Sequence, residues 1–529
     1  MKKICILHTP KPYVLKCPPQ GLMSIAAHLK GNNIKINILD ANIHYINPEN
    51  IKRNSYDKLL KRKAYSNNFD TVKQSFPEKA LTEYLLSNNF DIILADCNFT
   101  GTASYSFKTF ELIKRILPNA IIITGGIHAT IFHKEILKQY PIDIVIRGEG
   151  EEVALNVINN LISGSPQFNS IEGISFKDKN NEIVITNGSG LVSDLNNLRP
   201  VYEVYDEFEM DLYREYVKAV LGPFWGDQDP TGVVLTSRGC IGRCTFCNGR
   251  VIDQGKYRSL SKENIIKQLT YLYKKYKPKK FGIYDAMFGG DIDTYEAVCN
   301  FFREHNVQWG FETRIDIMTS ERLELLKGTH CKYILYGLES VNLNTLKLNR
   351  KISKSTADNY MDKATELFRK TSQLKILCVV SILYGLPGDD NTVFQKTMDF
   401  ILKNKLNNNY YITYLFYIPI MYPGTNLWYS ASNDDRCYEW DKFFVNNENI
   451  IEEGKIIYKN PNVDLNKLKF YVDNSNKILT NTNDGMSFIR RLMRKKDKIR
   501  NIFAEGRNGI NSCLDIKWFT LSVLYTLRE

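Results

Sequence analysis

The chain has 529 residues, of which 43% are hydrophobic and 24% charged, as in an ordinary globular protein. That composition excludes a disordered chain, a collagen and a coiled-coil rod, and at roughly 150 residues per domain the length predicts two to four domains. Net charge is +12, from 70 basic and 58 acidic residues. Half of it falls between Phe488 and Arg507, where eight basic residues (Arg490, Arg491, Arg494, Lys495, Lys496, Lys498, Arg500, Arg507) face Asp497 and Glu505, so 8 − 2 = +6. The overall charge is thus a weak argument for a nucleic-acid partner, and the basic segment reads as a solvated helix face.

No apolar run approaches the roughly 18 residues that span a bilayer, so no membrane span is expected. The opening Met1–His8 reads as a first core strand, because its apolar stretch is too short for a secretory signal and ends at Pro10 and Pro12. From there to about residue 165, strand-length apolar runs (Ile4–Leu7, Ile34–Leu39, Ile92–Ala95, Ala120–Ile123, Ile142–Ile146) alternate with segments of helical period (Leu22–Leu29, Lys79–Leu86, Ser106–Leu117, Ala154–Ile162). This predicts an α/β domain over 1–165 with a doubly wound parallel sheet, whose strands are buried on both faces. Ligands on such sheets sit at the carboxyl ends of the strands. Residues 166–225 predict a wrapping linker with a hairpin, Gly173–Phe176 and Glu182–Thr186. Over 226–430 the alternation resumes, with strands at Gly232–Thr236, Lys280–Tyr284, Gln308–Thr313, Tyr333–Tyr336, Leu377–Tyr384 and Tyr410–Tyr417. Six β/α repeats predict a partial (β/α)6 barrel, since a closed eight-fold barrel typically takes about 250 residues. Residues 431–529 read as a helical C-terminal cap.

Eleven cysteines with no signal peptide predict a reducing, cytoplasmic location. Eight are scattered; Cys240, Cys244 and Cys247 are not. The stretch Ser237-Arg238-Gly239-Cys240-Ile241-Gly242-Arg243-Cys244-Thr245-Phe246-Cys247-Asn248 has the spacing C-x-x-x-C-x-x-C and directly follows the first barrel strand. Three thiolates on one tight loop suit three irons of a cubane and leave the fourth open, as catalysis requires. A zinc knuckle would want a fourth Cys or His close by. The nearest are Cys299 and His305 downstream and His128 upstream.

With an aromatic before its last cysteine, this triad resembles the radical S-adenosylmethionine (radical SAM) signature. The resemblance implies that Cys240, Cys244 and Cys247 ligate a 4Fe-4S cluster whose open iron chelates S-adenosylmethionine, and that an electron from the cluster cleaves it to a deoxyadenosyl radical. It implies that Phe246 packs near the adenine. Later strand ends add further likenesses: Tyr284–Asp291, which departs from the family's Gly-Gly-Glu form, Glu312–Asp316, Gly337–Ser340, Tyr384–Asp389 and Tyr422–Thr425. They imply S-adenosylmethionine contacts from Asp285, Arg314, Glu339, Ser340 and Gly385. Arg314 or Glu339 also reads as one half of a buried ion pair, and Asp316 as a structural residue.

The first domain is similar to the cobalamin-binding domain that precedes many radical SAM enzymes, through Pro18-Pro19-Gln20-Gly21-Leu22, Leu39-Asp40, Thr124–Thr130 and Arg147–Glu151. Cobalamin contacts are expected from Thr100, Gly101, Gly125, Gly126, His128 and Glu149. The Asp-x-His-x-x-Gly motif of mutase-type domains is absent, so no histidine is expected beneath the cobalt, and His128 reads as a loop or tail contact.

The combination resembles the class B radical SAM methyltransferases. It implies a methyl passed from methylcobalamin to an unactivated carbon of a small-molecule or peptide substrate, with an electron donor such as flavodoxin or ferredoxin. A cyclase or rearrangement enzyme without methyl transfer is the alternative. An RNA methylthiotransferase is less favoured, because Cys5, Cys17 and Cys97 are not spaced for a second cluster. A cobalamin-sensing binding protein is disfavoured by the triad itself.

Overall fold

The computed structural model describes residues 2–11, 17–45, 75–164, 166–221, 229–353, 357–407, 409–431 and 458–481. The basic 488–507 segment, and most of the expected cap, lie outside the described residues. Fifteen strands are numbered here in chain order.

The first sheet contains β1 (Ile4–His8), β2 (Asn37–Asp40), β3 (Ile92–Asp96), β4 (Ile121–Gly125), β5 (Ile144–Ile146), β6 (Ile174–Lys177) and β7 (Ile183–Ile185), in the order β2-β1-β3-β4-β5-β6-β7. β1 to β5 are parallel and β6 and β7 antiparallel. The expected strands are where the apolar runs lie: every residue of β1 is buried, because helices cover both faces of the sheet. The hairpin expected within the linker is instead the continuation of this sheet. Val145 pairs with Ser175 and Ile146 with Ile174, so the sheet's edge is extended rather than left open. Strand order reverses between β1 and β3, and that reversal opens a crevice beyond their carboxyl ends.

The second sheet has six parallel strands in the order β15-β14-β13-β12-β11-β8: β8 (Val233–Val234), β11 (Lys280–Ile283), β12 (Gln308–Arg314), β13 (Cys331–Glu339), β14 (Leu377–Leu383) and β15 (Ile412–Tyr417). It is an open barrel with helices between its strands. Its first strand is only two residues long, and the chain then forms a small ribbon, β9 (Ser237–Arg238) paired with β10 (Arg258–Ser259), which the sequence did not announce. Helix starts follow local capping: Ser261 Oγ accepts from Asn264 N–H at 3.3 Å and Asp291 Oδ1 from Thr294 N–H at 2.8 Å. Beneath β12 the rings of Phe288, Tyr295, Phe302, Trp309 and Phe311 stack and interlock, and the Trp309 indole N–H donates to the Thr329 carbonyl at 2.8 Å.

The helix Leu465–Asn481 packs on β15 and on the helix Val393–Lys403, with Leu468 and Val472 in the barrel core. Met421, Leu427 and Trp428, just after β15, bury themselves among residues of the first domain. No helix among the described residues is long and apolar enough to cross a membrane.

Candidate active site

The cysteine loop connects β9 to the short helix Arg250–Asp253 at the carboxyl edge of the barrel. Cys240 and Cys244 are half-buried and Cys247 is exposed. Each sulfur accepts one hydrogen bond: Cys240 from Gly242 N–H at 3.3 Å, Cys247 from Gly249 N–H at 3.5 Å, and Cys244 from Arg314 Nη1 at 3.7 Å. Among the described residues no three Cys, His, Asp or Glu side chains are arranged around a single metal ion. Three thiols on one loop fit a cubane that takes a different iron at each sulfur.

The loop is held from three sides. Thr245 N–H donates to the Asn349 carbonyl at 3.0 Å and Thr245 Oγ1 to Asn349 Oδ1 at 2.7 Å; Leu427 N–H donates to the Thr245 carbonyl at 2.9 Å. Asn349 in turn donates to Thr345 O and Pro387 O, both at 2.8 Å. Arg314 closes the third side. Its Nε and Nη2 grip Asp316 at 2.9 and 2.7 Å, and Nη2 also donates to the Lys351 carbonyl at 2.9 Å. Asn349 and Lys351 lie in a stretch with no motif, which is why sequence reasoning missed both. Only their position after the fourth barrel strand was a signal.

Glu339 ends β13 with φ +69, a left-handed backbone that non-glycine residues adopt at a cost and that clusters at functional sites. Its carboxylate meets the buried Lys351 ammonium at 3.2 Å and Ser381 Oγ at 3.4 Å. Attraction to Glu339 and to Cys244 outweighs the effect of burial and holds Lys351 protonated. On the adjacent strand, desolvation by the surrounding protein, and then the charge of Glu339, hold the Glu312 carboxyl above the usual range. Glu312 was quoted within a motif but not singled out.

The other residues expected to contact S-adenosylmethionine each have partners within the protein. Asp285 is buried and spends its carboxylate on Thr236 N–H at 2.7 Å and Ser237 Oγ at 2.6 Å, so it shapes the approach to the cysteine loop. Ser340 Oγ accepts from Asn342 N–H at 3.1 Å and stabilises a turn. Gly385, with φ +100, lies under Leu468, whose Cδ1 a Cβ there would meet at 2.7 Å; it seats the C-terminal helix. Phe246 packs against the apolar cluster that joins Trp428 to the first domain.

In the first domain, the crevice between β1 and β3 is bordered by a closed polar network. Lys11 Nζ meets Asp96 Oδ2 at 2.6 Å, Thr9 N–H donates to Asp96 Oδ1 at 2.8 Å, and His8 and Tyr213 share Asp40 at 2.8 and 2.7 Å. None of these was anticipated as a group. Around the crevice Gly21 is exposed, with nothing within 4 Å of where a Cβ would be, and Phe99 is exposed beside Thr100 and Gly101. That open rim suits a flat macrocycle. His128, by contrast, is fully buried. Its Nδ1 bonds Thr100 Oγ1 at 3.1 Å, its ring packs on Phe132, and burial pushes it down to about 3, so it is a neutral brace between two loops. Gly126, with φ +112, is required because a Cβ would stand 2.7 Å from Asn98 Cα, whereas a Cβ on Gly125 would make ordinary contact, 3.4 Å from the Ile146 carbonyl.

Glu149 is likewise committed. Arg258 grips it bidentately at 2.7 and 3.0 Å, Arg238 Nη1 approaches to 3.5 Å, and Val192 N–H donates to it at 2.7 Å. Arg238 also meets Glu151 at 2.7 Å and Ser24 at 3.0 Å. Arg238 and Arg258 flank the cysteine loop, so these pairs clasp the first domain to it.

Residues 12–158 match the B12 binding domain, and residues 234–401 match the radical SAM superfamily. The chain carries a B12 binding domain followed by a radical SAM domain. These two domains imply a 4Fe-4S cluster, S-adenosylmethionine and cobalamin as the cofactors of an enzyme. It is 26% identical over 342 residues to an uncharacterized methyltransferase of Pyrococcus horikoshii, covering 63% of this chain and 68% of the relative. It is 25% identical over 297 residues to an anaerobic magnesium-protoporphyrin IX monomethyl ester cyclase of Rubrivivax gelatinosus, covering 55% of this chain and 50% of the relative, so it spans about half that protein's length. In fold it is similar to the radical S-adenosylmethionine methyltransferase TsrM of Kitasatospora setae (TM-score 0.62, 15% identity, 80% of this chain and 77% of that one). It is also similar to the cobalamin-dependent S-adenosylmethionine radical enzyme OxsB (TM-score 0.63, 16% identity, 96% and 71%).

Proposed function

We propose that this radical SAM protein transfers a methyl group to an unactivated carbon of a small molecule or peptide after a hydrogen atom is taken from it. The observation that carries the reading is the three-thiol loop seated at the barrel edge and clasped, through Arg238 and Arg258, to a B12-binding domain. Cys240, Cys244 and Cys247 would hold the cluster. Arg314, Glu339 and Glu312 line the approach for S-adenosylmethionine, and Gly21 and Thr100–Gly101 would receive cobalamin. When bound, the cluster with S-adenosylmethionine supplies the hydrogen-abstracting radical and cobalamin supplies the methyl group. The chain's own task is positioning: Asn349, Leu427 and Arg314 fix the loop, and the clasp fixes the distance between the two cofactor domains. A low-potential protein such as flavodoxin or ferredoxin would deliver electrons. All nine described cysteines are free thiols, in keeping with a reducing cytoplasm.

The test is anaerobic reconstitution with iron, sulfide and cobalamin, followed by S-adenosylmethionine and reductant. Deoxyadenosine and S-adenosylhomocysteine should both form, and a Cys240→Ala control should form no deoxyadenosine. A cyclase or rearrangement reaction is the second reading, favoured by the cyclase relative; it would give deoxyadenosine without S-adenosylhomocysteine. Relatives named ribosomal protein uS12 methylthiotransferase from Clostridium botulinum align over 191 residues only. Here Cys5 and Cys97 are buried in the first domain's core, which disfavours a second cluster on them. A cobalamin sensor would bind no iron, so an iron assay separates it.

A further inference from the structure

We propose that Arg314 sets the reduction potential of the cluster through a charged hydrogen bond to Cys244. The proposal rests on the reading of Cys240, Cys244 and Cys247 as cluster ligands. Two of the three sulfur hydrogen bonds, from Gly242 and Gly249, are neutral and local, since each donor lies two residues beyond its cysteine. The third differs in kind. It comes from the end of β12, seventy positions away in sequence, and its donor is a guanidinium.

That guanidinium cannot wander. Asp316 takes two of its donors and the Lys351 carbonyl a third, which leaves Nη1 aimed at Cys244. Arg314 is only 7% exposed, so water screens the contact little. Asp316 lies on the far side of the same planar fork. Cys244 therefore faces the positive end of an oriented ion pair rather than a bare cation. The Lys351 ammonium is engaged by Glu339, so it acts on the sulfurs at longer range. Hydrogen bonds and positive charge at cluster sulfurs stabilise the added electron and raise the potential. The half-reaction is simple: oxidised cluster plus one electron from an external reductant gives reduced cluster, with no bond made or broken in the protein. Arg314 is thus a positioning residue for electron entry.

The test is a redox titration of the anaerobically reconstituted full chain, followed by electron paramagnetic resonance, with iron and sulfide measured on each sample. Arg314→Gln should lower the reduction equilibrium about tenfold, which is about 59 mV for one electron. Arg314→Lys keeps the charge but loses the fork, and should fall between wild type and Arg314→Gln. Gly242→Ala tests the contact without touching the charge. Its Cβ would stand 2.5 Å from Arg314 Nη1 and 3.2 Å from Cys240 Sγ, so the guanidinium must retreat; the shift should have the same sign and be smaller. Should Arg314→Gln not fold, Arg314→Lys and Gly242→Ala carry the test. Full iron with an unmoved midpoint in the variants overturns the proposal, as does lowered iron content with an unmoved midpoint, which would mark Arg314 as merely structural. A wild-type chain that assembles no 4Fe-4S cluster would instead sink the underlying reading of the cysteines.

Discussion

Two carboxyl edges of two parallel sheets face the same task and solve it differently. At the edge of the first sheet the polar groups satisfy one another: Lys11 with Asp96, His8 with Asp40, Glu149 with Arg258. At the barrel edge the sulfurs receive one hydrogen bond each and remain half-buried or exposed. The first edge is a finished surface with an open rim at Gly21 and Phe99. The second is a set of donors waiting for a partner. A glycine or a charge at a strand end therefore does not by itself mark a ligand contact, and its neighbours in space decide.

The sharpest way to break this contrast is at the barrel edge. Cys240→Ala, Cys244→Ala or Cys247→Ala should each reduce reconstituted iron to background and abolish deoxyadenosine, read by iron assay and chromatography. Next in size is the first edge's self-packing. A Cβ on Gly148, at φ +83, would stand 2.3 Å from the Gly190 carbonyl, so Gly148→Ala should cost about 3 kcal/mol in denaturant unfolding. Glu151→Gln leaves Arg238 with only its longer contact to Glu149 and should cost less, roughly 1–2 kcal/mol. It should also speed hydrogen exchange in β9. Retention of full stability in either variant would show that the first edge is not closed by these contacts.

A smaller effect comes from His128. Its folded pKa lies near 3, below the ordinary 6.5 of the unfolded chain, because burial disfavours the charged ring. The unfolded state thus takes up the proton first as pH falls. The contribution is complete above about pH 6.5 and drains away between there and about pH 3. Denaturant midpoints taken across that range should fall more steeply for wild type than for His128→Asn. Smallest is Gly21→Ala. With room for the Cβ at a helix start, it should leave stability unchanged or raise it by about 0.5 kcal/mol, while weakening cobalamin binding measured by spectral titration. Unweakened binding would remove Gly21 from the cobalamin rim.

The apolar strands were legible because burial on both faces leaves a run with no polar interruption, as in Ile4–His8. The cysteine loop was legible because its chemistry is local. What sequence could not convey are partners set by the fold. Asp285 lies 48 or more positions from Thr236 and Ser237, the residues that its carboxylate bonds. Glu149 lies in a glycine-rich stretch that reads as a ligand cradle, but it meets an arginine 109 positions later. The Gly173–Thr186 hairpin was visible as a turn between two strands, while its docking on β5 depended on a register no local pattern encodes.

The hydrogen bond from Leu427 to Thr245 has a bearing on biosynthesis. The loop that would carry the iron is buttressed by a residue 182 positions downstream (427 − 245), itself anchored by Trp428 among side chains of the amino-terminal half. A nascent chain stalled before Asn349 has the thiols but neither brace, and its iron uptake should be lower than that of a chain extended past Trp428. Ribosome-bound fragments of graded length, scored for iron uptake, should show that difference.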